Sequence, residues 1–239
     1  MTGYTVKEIN DLLESIRASY DGIHDAMATP WPGLSQKMRL EWVGEDEYQN
    51  EEALSDAMIK LHTDCIEAIK LVIKNITNLG ETWRSFQAQN TIEGAKSVDV
   101  ANIASIDEVT VTPKDLELYQ AGERLDASVQ LGLRNGASSA TAVETAIDEY
   151  AKSVKDKVTG LYNNLDASKA FLDQQESLNV TNYLHKVGES IASLTTCIKS
   201  IKLAIAAAAK QYQKQAESNA GEVASSDTDI LGENAGESL

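Results

Sequence analysis

The sequence predicts an all-α protein: an elongated four-helix bundle made of two antiparallel helical hairpins, with a short extended connector and a disordered acidic C-terminal tail. Three observations carry that expectation. The chain has only three prolines and 5% aromatic residues, while Ala, Leu, Ile, Lys and Glu, which lose little freedom in a helix, dominate the rest. Apolar residues recur at three- and four-residue steps over long stretches. A nine-residue segment of one such stretch also returns, largely intact, in another.

The elements follow in order. Thr5-Val6-Lys7-Glu8 is a capping box, in which the hydroxyl and the carboxylate satisfy orphan backbone donors reciprocally. Ile9, Leu12, Ile16, Tyr20 (or Ser19), Ile23 and Met27 draw the stripe of the first helix, and Pro30 and Pro32 stop it. A second helix is expected from about Asn50 to Gln89. Its stripe is Leu54, Met58, Leu61, Cys65, Ala68/Ile69, Val72, Ile76, Leu79, Trp83 and Phe86, with Gly80 as its weak point. Ser97-Val98-Asp99-Val100 and Glu108-Val109-Thr110-Val111 alternate with period two, as extended segments do. Thr112-Pro113-Lys114-Asp115 then opens a modest helix to about Arg134, ended by Asn135-Gly136. Thr141-Ala142-Val143-Glu144 repeats the capping box ahead of Ile147, Tyr150, Val154, Val158, Leu161, Leu165 and Phe171. The last helix carries Leu184, Val187, Ile191, Leu194, Ile198, Ile201, Ile205 and Ala208. Beyond Ala216 the chain turns to Ser, Asn, Gly and acids, the composition of a disordered tail.

The repeated segment is Cys65-Ile66-Glu67-Ala68-Ile69-Lys70-Leu71-Val72-Ile73. It matches Cys197-Ile198-Lys199-Ser200-Ile201-Lys202-Leu203-Ala204-Ile205 at six of nine positions, 132 residues later (197 − 65). Thr5 and Thr141 lie 136 apart (141 − 5), and Gly22 and Gly160 lie 138 apart (160 − 22). Helices rich in Ile, Lys and Leu share some residues by chance. A common cysteine with five further identities favours a duplication with small insertions. The expected divisions are a first hairpin over 5–90, a connector over 91–140, a second hairpin over 141–216 and the tail over 217–239. Neither hairpin buries its stripe alone, so the two should pack on each other.

Charge and motif content narrow the function. A net charge of −16 repels a phosphate backbone and an anionic lipid surface. The most apolar stretch, Ile191 to Ala209, contains Lys199 and Lys202, each costing a few kcal/mol at the centre of a membrane span, so it reads as a buried helix of a soluble protein. The N-terminus lacks a basic region followed by an apolar run, and no secretory signal of that kind is expected. Cys65 and Cys197 read as small buried side chains, with a disulfide between the hairpins as the alternative. His24, His62 and His185 lie on separate helices without a Glu-x-x-His pair and read as solvent-facing or boundary residues. The scattered carboxylates read as solvated surface. No zinc-protease, nucleotide-binding or nucleophile-elbow motif occurs. No catalytic residue, metal ligand or cofactor is therefore expected, and the protein reads as non-enzymatic. Trp83 and Phe86 read as core or as partner anchors, and Trp31, in a proline-rich turn, as an exposed anchor for a partner protein.

Between the two helices of the first hairpin lies Trp42-Val43-Gly44, followed by Tyr48. Glycine lets the chain reverse there, and the indole can close the end of the hairpin. This arrangement resembles the WXG-100 (ESAT-6-like) family of small helical hairpins handled by type VII (ESX) secretion in Gram-positive bacteria and mycobacteria. The resemblance covers residues 5–90 and, more weakly, 141–216, so the chain looks like a tandem double-hairpin variant. The second hairpin has no Trp-x-Gly, and Phe171 stands roughly where the tryptophan would be. The family's Tyr-x-x-x-Asp/Glu secretion signal has a candidate in Tyr119 and Glu123, although Tyr4/Glu8, Tyr48/Glu52 and Tyr162/Asp166 fit the same loose pattern. The resemblance implies a protein exported without a cleaved signal, or cytoplasmic before export. It would act as a substrate or targeting subunit through helix–helix recognition of another helical protein, a secreted effector or the secretion ATPase, or as a homodimer. The alternatives are a cytosolic or phage-associated structural protein and a membrane-active helical toxin component.

Overall fold

A computed structural model describes residues 6–89, 114, 116, 118 and 132–233, and among these described residues the regular structure is helical apart from one pairing of two two-residue strands. Helix α1 (Val6–Ala28) stops just short of Pro30, as expected. Where the sequence predicts only a turn, however, α2 (Trp31–Glu41) begins immediately. The prolines start it: Pro30 precedes its first residue, and Pro32 occupies the first turn, where a missing N–H costs nothing. Strand β1 (Trp42–Val43) follows, and α3 (Glu45–Gln89) starts before the expected Asn50 and passes through Gly80 unbroken.

The connector departs from expectation where it is described. The predicted helix over 112–134 is absent at Lys114, Leu116 and Leu118, and Gly132–Leu133 is strand β2. Leu116 and Leu118 are both buried, two residues apart, as on one face of an extended segment. The Lys114 backbone N–H donates to the Tyr20 hydroxyl at 2.6 Å, and its ammonium meets Asp21 at 3.1 Å. Lys114 is thus held against α1, and the burial of Leu116 and Leu118 outweighs the local helix preference there. The period-two segments at 97–100 and 108–111 fall outside the described residues.

Helix α4 (Ala137–Ser168) starts ahead of the Thr141 capping box. Gly136 at φ 55° turns the chain into it, and the Thr141 hydroxyl donates back to the Ala137 carbonyl from inside the helix. A 3-10 turn (Lys169–Phe171) leads to α5 (Gln174–Glu233). A capping box that the sequence reading passes over opens α5: Glu176 N–H donates to the Asp173 carboxylate at 2.7 Å, and Asp173 N–H returns a bond to Glu176. The expected boundary at 217 falls within α5, which runs on to Glu233, and residues 234–239 of the expected tail lie outside the described residues. No proline interrupts that run, and side-chain pairing between Gln213 and Glu217 carries the helix across the boundary.

The helices pack in a bundle. Helix α1 lies along α4, α3 along α5, α4 against α5 and α1 against α3, while α2 rests mainly on α4. Ser15 and Ser19 face Asn164, and Met27 faces Tyr150, so α1 and α4 run antiparallel. Lys60 meets Ser190 and Glu67 meets Lys186, so α3 and α5 do too. The short turn between Ser168 and Gln174 together with the Asp148–Lys202 pair shows the same for α4 and α5. Among the described side chains the predicted stripes fill the interior, with Leu13 in place of the half-buried Leu12 and with Leu79, Phe171 and Ile191 only half-buried. Both cysteines are free, Cys65 buried and Cys197 half-buried, so no disulfide joins the hairpins.

Candidate functional site

The sequence singles out the turn between α2 and α3, and the structure builds a buried polar cluster there. Helix α2 turns Trp31, Leu34 and Met38 inward at steps of three and four. Trp42 then becomes extended at φ −127°, and β1 pairs antiparallel with β2, Trp42 opposite Leu133 and Val43 opposite Gly132. Arg134 N–H reaches the Glu41 carbonyl at 3.0 Å and lengthens that seam. Trp42 is 1% exposed, so its indole belongs to the core at this end of the bundle. Gly44 at φ 139° makes the reversal in a region that side-chain-bearing residues avoid. The Tyr48 N–H, bonded to the Gly44 carbonyl at 3.3 Å, closes the first turn of α3.

Beside this turn, α2 and α3 are tied through charge. Arg39 grips Glu51 with two nitrogens, Nε at 2.9 Å and Nη2 at 3.1 Å, and the Ser35 hydroxyl donates to Glu51 at 2.5 Å. Glu51 is fully buried, and a buried carboxylate persists only when so compensated. Glu47, one turn earlier on α3, is also buried, and its Oε1 has no hydrogen-bond partner. Burial first, and the neighbouring Glu51 second, push its carboxyl up to about 8. It stands in the first turn of a helix, where the backbone dipole favours a carboxylate by under about 1 kcal/mol; desolvation outweighs that. On the far side, Ser139 donates to Glu41 at 2.5 Å while accepting from Asn135 N–H, which links the start of α4 to the end of α2.

Continuing along α3, Ser55 and His62 extend the same inward line of polar residues. His62 lies between the rings of Tyr20 and His24, at 5.8 and 5.7 Å, and its Nε2 has no partner. Burial, and then the His24 charge, lower it to about 4. This imidazole therefore stays neutral at physiological pH.

Several expected site residues are relocated. Trp42, Gly44 and Tyr48 do come together at the turn. Trp31 is not an exposed anchor: it is 4% exposed, 5.9 Å from the Tyr150 ring, because α2 folds its first residue back onto α4. His62 is neither solvent-facing nor at a boundary, and Glu47 and Glu51 are not solvated surface. The side chains of Trp83 and Phe86, and the residues Tyr119 and Glu123, lie outside the described part. Sequence reasoning misses Ser35, Arg39, Glu47 and Glu51. The available signal is the four-residue step Glu47, Glu51, Ser55, which runs directly into the apolar stripe at Met58.

Chemically, the cluster holds two helices together around a carboxyl that keeps its proton near neutrality. Among the described residues no group of three or more His, Cys, Asp or Glu is placed to hold a metal ion. No family model, curated protein or solved structure matches the chain.

Proposed function

We propose that this chain is a non-enzymatic protein of the tandem WXG type, working with a type VII secretion system as a substrate or targeting subunit through helix–helix recognition. The carrying observation is the Trp42 turn: a buried indole and a left-handed glycine at a helical reversal, at the spacing that the resemblance supplies. The pairing of the two halves gives independent support. Lys60 contacts Ser190, two residues from Ala192, the position 132 further on (192 − 60). Gly22 lies against Lys157, within one turn of its counterpart Gly160. Residues near a two-fold axis meet their own equivalents in this way, which supports reading the chain as two fused copies of one hairpin in an elongated four-helix bundle. Expression of the tagged chain in a host with a type VII system tests the reading. Recovery from the medium only when the secretion ATPase is intact is expected; equal recovery without the ATPase overturns it.

A second reading, a membrane-active helix, draws on one observation. Helix α5 contains an 18-residue window of mean hydropathy 1.5, long and apolar enough to cross a bilayer, of which 28% is buried. Dye release from vesicles on adding the protein would favour it, and intact vesicles would dismiss it.

A further inference from the structure

The outer face of α5 is unlike the rest of this acidic chain. Residues 190–216 hold Lys199, Lys202, Lys210 and Lys214 and no Asp or Glu. Lys202 is taken by Asp148 at 2.5 Å. Lys199, Lys210 and Lys214 are exposed, with no ion pair among the described residues. Between them stands Leu203, 73% exposed, flanked by exposed Thr196, Ser200, Ala206 and Ala207, small enough to let another helix approach. Immediately beyond, residues 217–239 carry Glu217, Glu222, Asp227, Asp229, Glu233 and Glu237 and no Lys or Arg.

We propose that the lysine-bearing outer face of α5 takes the acidic C-terminal stretch of α5 from a second copy of this chain, in an antiparallel pairing of the two α5 helices. Helix α5 is continuous to Glu233, so Glu222 and the acids after it, eight residues or more beyond Lys214 (222 − 214), run away from the helix's own lysines and meet that lysine face only on another molecule. Spacing sets the register. Lys199 and Lys210 are 11 residues apart (210 − 199), and so are Glu222 and Glu233 (233 − 222). Eleven residues make about three helical turns, so each pair shares one face of its helix. Run antiparallel, Lys210 falls opposite Glu222 and Lys199 opposite Glu233, with Leu203 opposite Asp229-Ile230. The contact is isologous and closes as a dimer. A pairing centred on Leu203 would instead set lysines against lysine-bearing helix with no acid to answer them. A lipid surface is the poorer fit, because the face offers one bulky apolar residue where interfacial helices present many. This inference rests on α5 alone and is independent of any secretion role.

Sedimentation of the full chain at low and high salt tests it. The parent is expected to be a dimer at low salt and to dissociate at about 1 M salt, where screening reaches down to about 3 Å. Lys199→Glu/Lys210→Glu and Glu222→Lys/Glu233→Lys should each be monomeric, with unchanged helical circular dichroism. Their 1:1 mixture should restore the dimer, since every facing pair is then opposite in sign. A parent that stays monomeric at about 1 mM protein, where even a millimolar association shows, overturns the proposal. So does a dimer that both variants retain, or a mixture that stays monomeric. Flotation of the parent with anionic vesicles but not neutral ones, lost in Lys199→Glu/Lys210→Glu, would assign the face to lipid and equally overturn it.

Discussion

Glu47→Gln isolates the most unusual group in the fold. In the native protein the Glu47 carboxyl holds its proton up to about 8, against 4.5 when exposed. A group raised on folding binds more protons in the native state than in the unfolded one between those values. Stability is therefore fully present below the unfolded value and lost as pH rises through the folded one. His62 has the opposite sign: lowered from 6.5 to about 4, it withholds a proton that the unfolded chain binds, so stability rises across that interval. The two slopes oppose each other from about 4.5 to 6.5, and above 6.5 Glu47 acts alone. At about 1.4 kcal/mol per pH unit per proton, the interval from pH 6.5 to 8 should cost at most about 2 kcal/mol, and the curve should flatten beyond. A glutamine has the same shape, carries no charge, and keeps a donor for Glu51. Urea denaturation of both proteins at a series of pH values checks this. Parent stability should decline from pH 6.5 to 8, the variant should stay level over that interval, and the two should converge only below about pH 4.5. Parallel curves would refute the assignment of the buried proton to Glu47.

Other outcomes follow from single contacts. Gly136→Ala forces a side chain into φ 55° and sets its Cβ 2.7 Å from the Tyr212 ring; a loss beyond about 1 kcal/mol is expected by thermal denaturation, and Tyr212→Ala should relieve only the clash and not the backbone strain. Trp42→Ala removes a side chain that is 1% exposed and should cost about 3–5 kcal/mol in the same assay. Tyr150→Phe strips the hydroxyl that satisfies the Met27 carbonyl at 2.8 Å, leaving a buried acceptor unpaired at about 1–3 kcal/mol. In the native protein a thiol reagent should label Cys197, which is half-buried, and spare Cys65, which is fully buried with its thiol pushed up to about 12; equal labelling rates would contradict the placement of Cys65 in the core.

What was legible in the sequence was the interior of the long helices. Ile16, Ile23, Met58, Leu61, Val154, Leu161, Ile201 and Ile205 reach the core because apolar spacing and burial are the same fact seen twice. The ends were less legible. Thr141-Ala142-Val143-Glu144 satisfies the capping pattern yet sits inside α4, because Gly136 already supplies the turn. Helix α2 was hidden by its own prolines, which break a helix from within but start one from its first turn. The candidate site was only half visible. Trp42 and Gly44 announce a turn, whereas Glu51 looks like any surface acid until Arg39 and Ser35, on a helix that was not foreseen, fold over it.

On the proposed reading of the chain as two fused hairpins, that cluster is also where the halves differ most. Shifted by 132 residues, the inward polar positions Glu47, Glu51, Ser55 and His62 fall on Asn179, Tyr183, Val187 and Leu194. Val187 and Leu194 are core residues of α5, and Tyr183 packs partly against the core. If both hairpins descend from one, α5 has the ordinary interior of a bundle helix, and α3 bears the exceptions. Those exceptions are costly: the Glu47 Oε1, Ser55 Oγ and His62 Nε2 atoms are buried without partners, each at about 1–3 kcal/mol. Packing alone would replace them, since apolar residues in place of buried polar groups are often neutral or stabilising. Their gathering on the hairpin that holds Trp42 and Gly44, along the helix that Arg39 clamps, places the specialised end of the molecule at the α2–α3 turn.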